Sequence, residues 1–274
     1  MSDDNRDIVH FYSRNAAGEH RRLEEHQLEY DLTWRYLEKY LPPEGAVLEI
    51  GAATGRYTLE LAKRGYRLTA VDLTPALLEE NRQNLARAGL ESRVRLVAAD
   101  ARDLSAVSQT DFAAVLLMGP LYHLFTPGDR RLAVQNAFDR LRPGGVIFSA
   151  FISRYGILGD LLKNVPEWIE QQDEVRSILQ NGVDPADYHL HNPESFRGYF
   201  AVVAEIAPLH EAVGFETLAL AGVEPAISAD DESYNRLEGA RRRLWLDLLY
   251  EISTERSILA ASRHLLYIGR KPPA

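Results

Sequence analysis

The sequence predicts an α/β protein: a doubly wound, mainly parallel, seven-stranded sheet with a helical N-terminal lid and helical insertions over the carboxyl ends of its strands. Three observations lead there. Short β-type segments alternate with helical ones from Ala46 to Phe151, at the length of a strand–helix–strand unit. Phe112 to Met118 is a continuous apolar run, as expected of a parallel strand covered on both faces. The rhythm then breaks after Phe151 and strand-like segments return at Phe215–Leu220 and His264–Gly269.

Taken in order, Leu28, Leu32, Tyr36, Leu37 and Leu41 repeat at helical spacing and stop at Pro42-Pro43, while the preceding Ser13–Gln27 stretch is polar. Ala46–Ile50 reads as a strand running into a glycine-rich turn, Tyr57–Lys63 as a helix and Arg67–Val71 as the second strand. Thr74-Pro75 opens a helix through Leu77, Leu78, Asn81 and Leu85, which Gly89 stops. Val94–Ala98 and Phe112–Met118 are the third and fourth strands. Thr126, Pro127 and Asp129 have the spacing of a capped helix start, the helix runs to Leu141, and Arg142-Pro143-Gly144-Gly145 turns into the fifth strand, Val146–Phe151. Ser153–Asn181 reads as mostly helical, Asp184–Arg197 as polar and histidine-bearing, and Ala201–Val213 as a helix interrupted by Pro208. A long charged amphipathic helix follows, with Leu237, Leu244, Leu248 and Ile252 on one stripe. The predicted organisation is an N-terminal helical lid, 1–41, and one domain, 42–274, with cap insertions at about 153–200 and 223–262.

Composition narrows the function. The chain has 274 residues, 46% of them hydrophobic, and a formal charge of −9. That balance disfavours nucleic acid as a partner, because phosphate backbones call for a basic face. With no cysteine, there is no disulfide, thiolate metal site or cysteine nucleophile. His189 and His191 stand two apart without a completing cluster, so no metal is expected. The start, MSDDNRDIVHFYSRN, lacks the features of a secretory signal, no stretch is apolar enough to span a membrane, and a cytoplasmic location is expected.

The segment Val47 to Arg56, VLEIGAATGR, carries the chemistry. Small residues at Gly51, Ala53 and Gly55 let a strand turn tightly into a helix and let a ligand approach the backbone. The spacing does not fit a dinucleotide fingerprint, since Arg56 stands where the third glycine belongs. Glu49 suits a ligand bearing an ammonium, Asp72 can take both hydroxyls of a ribose, and Asp100 can accept from an exocyclic adenine amine. Three acidic residues at successive strand ends fit a cationic amino-acid nucleoside without phosphate.

These motifs, with Val71-Asp72-Leu73, Ala99-Asp100-Ala101 and the loop Leu117–Leu124, resemble those of class I S-adenosylmethionine-dependent methyltransferases of the small-molecule type. The resemblance is close over 42–151 and weak near the last two strands, and Ala53 stands where that family often has glycine. It implies a Rossmann-like fold and S-adenosyl-L-methionine as cofactor, with S-adenosyl-L-homocysteine as product. Glu49, Gly51, Ala53 and Gly55 would contact the methionine part, Asp72 and Leu73 the ribose, Asp100 and Ala101 the adenine, and Met118 and Gly119 the sulfonium side.

Methyl transfer from a sulfonium is an in-line displacement, so positioning and exclusion of water matter most. His123, beside Tyr122, is the candidate base for an acceptor that must lose a proton; packing against the cofactor is the alternative role for both. Tyr12 and Arg22 in the N-terminal segment, and Tyr188 and His189 in the insertion, are candidate substrate contacts. Met118-Gly119-Pro120-Leu121 lacks the Asn/Asp-Pro-Pro-aromatic turn of amide and adenine-amine methyltransferases, and with the acidic charge and the capped architecture this points to a small-molecule acceptor. A monomer or homodimer with no nucleic-acid or membrane partner is expected. Other reactions of the same cofactor, such as intramolecular alkylation or aminopropyl transfer, and a non-catalytic binding module would keep the same motifs.

Overall fold

The computed structural model describes residues 6–14, 26–184, 197–227 and 230–274. Helix α1 (Arg6–Arg14) and α2 (Gln27–Tyr40) precede strand β1 (Ala46–Ile50). There follow α3 (Arg56–Lys63), β2 (Arg67–Asp72), α4 (Pro75–Ala88), β3 (Val94–Ala98), β4 (Phe112–Leu117), α5 (Pro127–Arg140) and β5 (Leu141–Ser153). The insertion holds α6 (Ile157–Asn164), a 3-10 segment (Pro166–Glu170), α7 (Gln172–Asn181) and the two-residue strand β6 (Phe200–Ala201). Then come α8 (Val203–Glu211), β7 (Glu216–Gly222), α9 (Asp231–Asn235), α10 (Gly239–Ile252), α11 (Arg256–Leu259) and β8 (His264–Arg270).

The strands lie in the order β3-β2-β1-β4-β5-β8-β7, with β6 added against β5. Strands β1 to β5 pair in parallel, and β8 enters antiparallel between β5 and β7. The expected seven-stranded, doubly wound, mainly parallel α/β sheet is thus present, with a short eighth strand that is too brief to leave a sequence signal. Alternate residues feed two cores. Val115, Leu117, Leu265 and Tyr267 face Ala133 and Val134 of α5 and Ile206 of α8, whereas Ala114, Leu116, Leu266 and Ile268 face Leu32 and Leu37 of α2, Leu61 of α3 and Leu249 of α10.

Two expectations need correction. Strand β5 starts at Leu141, because Leu141 pairs with Phe112 before the register shifts across the Pro143–Gly145 turn to Val146 opposite Ala114. The stripe expected on α10 is not one face of the core: Leu237 precedes the helix and packs inward with Ile252, while Leu244 and Leu248 are exposed. The helix docks instead through Leu246, Leu249 and Tyr250.

Caps follow their chemistry. The Thr126 side chain accepts from the Asp129 N–H at 3.0 Å, and Gly89 closes α4 in a left-handed conformation. Among the described residues, no helix is long and apolar enough to cross a membrane.

Candidate functional site

The carboxyl ends of β1, β2, β3 and β4 converge on one cavity, the place where parallel α/β sheets hold ligands. After β1 the chain turns through Gly51 to Gly55 into α3. Gly51 has φ +83°, and a Cβ there would lie 2.5 Å from Pro120 Cδ and 2.7 Å from the Met118 carbonyl oxygen. The turns after β1 and β4 therefore touch through a residue that has to lack a side chain. The Gly51 and Ala52 N–H groups both donate to the Val71 carbonyl, at 2.8 and 3.0 Å, tying the first turn to the end of β2.

Asp72 ends β2 and holds both neighbouring turns. One of its oxygens accepts from Ala53 N at 2.9 Å and the other from Thr74 N at 2.8 Å. Its carboxylate direction is thus set by backbone, with lone pairs left for a ligand. Glu49 lies deeper, 1% exposed, and accepts from the Thr58 hydroxyl at 2.5 Å. Asn81 in turn donates to Thr58 at 3.3 Å. Burial pushes the Glu49 carboxyl up to about 8, the Thr58 bond opposes the rise and the Asp72 charge adds to it. A neutral acid at this depth becomes a good partner for an incoming ammonium, which restores its ionised form.

At the end of β3, Asp100 is gripped by Arg102: Nη2 donates to Oδ2 at 2.8 Å, Nε to Oδ1 at 3.1 Å, and the Arg102 backbone N–H to Oδ1 at 2.8 Å. Arg102 escaped the sequence reading because its reach back to Asp100 depends on the tight turn marked by the Asp100–Asp103 bridge. Beyond β4, Gly119 at φ +131° redirects the chain into the 3-10 turn Pro120–His123. The Tyr122 carbonyl accepts from Tyr199 N at 2.7 Å, and the Tyr122 ring packs with Ile152, Trp168 and Phe200. Helix α1 reaches the same loop. The Tyr12 hydroxyl and His123 Nε2 are 2.9 Å apart, with the rings edge to face at 5.4 Å.

The cavity, about 130 Å³ in volume and open at its mouth, brings together Glu49, Gly51, Ala53, Asp72, Leu73, Asp100, Ala101, Met118, Gly119, Tyr122, His123 and Tyr12. Gly55 is not in the lining; it lies against the Asn81 side chain, 2.4 Å from where its Cβ would be. Arg22, Tyr188 and His189 fall outside the described residues. Ile8, Arg56, Tyr57 and Leu124 also line the cavity. Arg56 and Tyr57 follow the glycine turn directly, which was the available signal; Ile8 had none. A bound S-adenosylmethionine fits this donor set, with a buried acid for the ammonium, a fixed carboxylate for the diol and a side-chain-free wall at Gly51 and Gly119.

Among the described residues, one group has the makings of a cation site: His26, Glu224 and Asp231. The Arg263 guanidinium occupies its centre, with Nη2 2.9 Å from His26 Nδ1, 3.0 Å from Asp231 Oδ2 and in contact with Glu224.

Comparison with known proteins agrees with this geometry. A family model described as a methyltransferase domain matches residues 47–145. The tRNA 5-carboxymethoxyuridine methyltransferase of Escherichia coli is 26% identical over 156 residues, covering 56% of this chain and 57% of that protein. The carboxy-S-adenosyl-L-methionine synthase of Aliivibrio salmonicida is 25% identical over 168 residues, covering 56% and 68%. Thus the chain spans little more than half the length of the first of these relatives. The solved structure of an S-adenosylmethionine-dependent methyltransferase from Methanosarcina mazei superposes with a TM-score of 0.59 at 16% identity, covering 87% of this chain and 98% of that one. Residues 47–145 thus match a methyltransferase domain, and the chain shares its fold with S-adenosylmethionine-dependent methyltransferases, proteins whose cofactor, S-adenosylmethionine, the donor set of this cavity fits.

Proposed function

We propose that the chain moves the methyl group of S-adenosylmethionine to an N, O or S atom of a small-molecule acceptor by in-line displacement in this cavity. The observation that carries the reading is that one enclosed space joins the carboxylates of Glu49, Asp72 and Asp100 to the Tyr12–His123 pair. When bound, the cofactor supplies an electrophilic methyl group on a sulfonium. Asp72 takes the ribose hydroxyls, Glu49 faces the ammonium, and Asp100, oriented by Arg102, accepts from the adenine amine beside Ala101. The backbone at Met118 and Gly119 forms the wall next to the methyl group. Helix α1 is the lid: it supplies Ile8 and Tyr12 to the lining and excludes water there. Tyr12 and His123 hold the acceptor in line, and His123 receives a proton when the attacking atom must lose one.

A small molecule is preferred over RNA because the chain carries a formal charge of −9 and Arg56 is the one Lys or Arg among the described lining residues. A second reading, alteration of the cofactor itself, is favoured by the similarity to a carboxy-S-adenosyl-L-methionine synthase. A carboxylated methyl group would call for a fixed cation beside it, and the lining at Met118, Gly119, Tyr122 and His123 holds no Lys or Arg. Incubation with S-adenosylmethionine and a metabolite extract, followed by mass spectrometry, separates the readings. S-adenosylhomocysteine with a newly methylated metabolite supports methyl transfer. A carboxylated cofactor or methylthioadenosine refutes it, and binding without any turnover marks a binding module.

A further inference from the structure

Helix α10 has two faces, and among the described residues only one is covered. Its inner face is fastened to α2 by Arg242 Nη2 on Asp31 at 2.7 Å, by Arg35 on Asp247, and by the burial of Leu249 to 1% exposure. Its outer face leaves Leu244 69%, Leu248 48% and Trp245 44% exposed. Isolated exposed leucines are ordinary; three large apolar side chains side by side on one helix face are an unfilled contact.

The order of residues on that face says what fills it. Arg241, Leu244, Leu248 and Glu251 follow at spacings of three, four and three, so they form one straight seam on the side of the helix opposite Leu246 and Leu249. The seam is a charge palindrome about position 246: arginine at one end, glutamate at the other, and a leucine at equal distance on either side. A surface with that arrangement complements itself when turned through 180°.

We infer that the outer face of α10 is a homodimer contact, with a second copy of this chain packed antiparallel along the same helix about a two-fold axis at position 246. Leu244 then meets Leu248 of the partner subunit, and Arg241 meets Glu251 of the partner subunit, each contact occurring twice. Trp245 flanks the leucines and covers them from water. Two parallel copies would instead oppose arginine to arginine and glutamate to glutamate, which selects the antiparallel arrangement. A helix of this length runs about 21 Å, so the contact belongs to the small interface class and the dimer is a micromolar one.

Sedimentation velocity on the full chain, from about 1 to about 100 µM, tests this. The expected result is a reversible monomer–dimer equilibrium whose dissociation constant rises at least about tenfold in Leu248→Lys. Arg241→Glu alone and Glu251→Arg alone each weaken the dimer about tenfold, and the double reversal restores it to within about threefold of the wild type, because the opposite charges meet again across the axis. Unchanged affinity for S-adenosylhomocysteine verifies that each variant is folded, since none of these residues lines the cofactor cavity. A monomer at the highest concentration, a dimer indifferent to Leu248→Lys, or a double reversal no better than the single ones overturns the inference.

Discussion

Glu49 and Asp72 show how a residue's surroundings set its task. Burial holds the Glu49 carboxyl protonated up to about pH 8 in the folded chain, whereas in the unfolded chain it ionises near 4.5. Its contribution to stability is complete below about pH 4.5 and lost as pH rises through 8. We therefore expect the melting temperature of the cofactor-free wild type to fall relative to Glu49→Gln between about pH 5 and pH 8, at about 1.4 kcal/mol per pH unit in mid-window. Matching pH profiles for the two proteins, read by scanning calorimetry, would disprove the assignment. Asp72 makes a different prediction. Replacing it with Ala leaves the Ala53 and Thr74 N–H groups without this acceptor and removes the contact proposed for the diol, which should weaken S-adenosylhomocysteine binding by about 2 kcal/mol, roughly thirtyfold, in titration calorimetry.

Between elements, two contacts close the site. The 2.9 Å Tyr12–His123 bond is a polar link of α1 to the β4 turn, so Tyr12→Phe should release S-adenosylhomocysteine about tenfold faster in stopped-flow measurements, with the melting temperature little changed. Gly51→Ala presses a methyl group against Pro120 and the Met118 carbonyl, and cofactor binding should be lost by calorimetry while far-ultraviolet dichroism still reports a folded chain. Much of this was legible in the sequence. The alternation of period two and period 3.6, the glycine turn and the acidic strand ends mark β1 to β4 and most of the cavity, because each signal is local. What was not legible depends on neighbours. Spacing shows that Leu244 and Leu248 share a face of α10; it does not show that α2 sits against the opposite one. The two residues of β6 carry no period at all, and the start of β5 is set by Phe112 across the sheet. Thr58 and Arg102, which hold two of the three acids, are ordinary helix and turn residues until the chain folds them back.

Across the whole molecule, one buried charge centre joins distant segments. Arg263, just before β8, pairs with Glu224 after β7, Asp231 of α9 and Asp160 of α6, and contacts His26 ahead of α2. Burial opposes ionisation of Glu224, but His264 and Arg263 outweigh it and hold its carboxyl far below the usual range. Burial likewise opposes charge on His264, and Glu29 and Glu224 overcome it and raise its value. The Glu224 contribution is present above about pH 4.5 and lost as pH falls through its lowered value; the His264 contribution is present below about pH 6.5 and lost as pH rises through its raised one. Because Glu49 loses its contribution from about pH 4.5 upward, these groups together place the stability maximum of the cofactor-free protein between about pH 4 and pH 5. Arg263→Met takes the guanidinium from buried Glu224 and from Asp231 and Asp160, leaving Glu224 with His264, and should cost about 3–5 kcal/mol in denaturant unfolding. The strand that follows Arg263 has a consequence for the order of events during synthesis. Because β8 is wedged between β5 and β7, a nascent chain that has already made β1 to β5 still presents the flank of β5 to solvent. Until residues 264–270 reach the sheet, that flank is open to pairing with the same strand of another nascent chain, so the late arrival of β8 is this fold's window for aggregation.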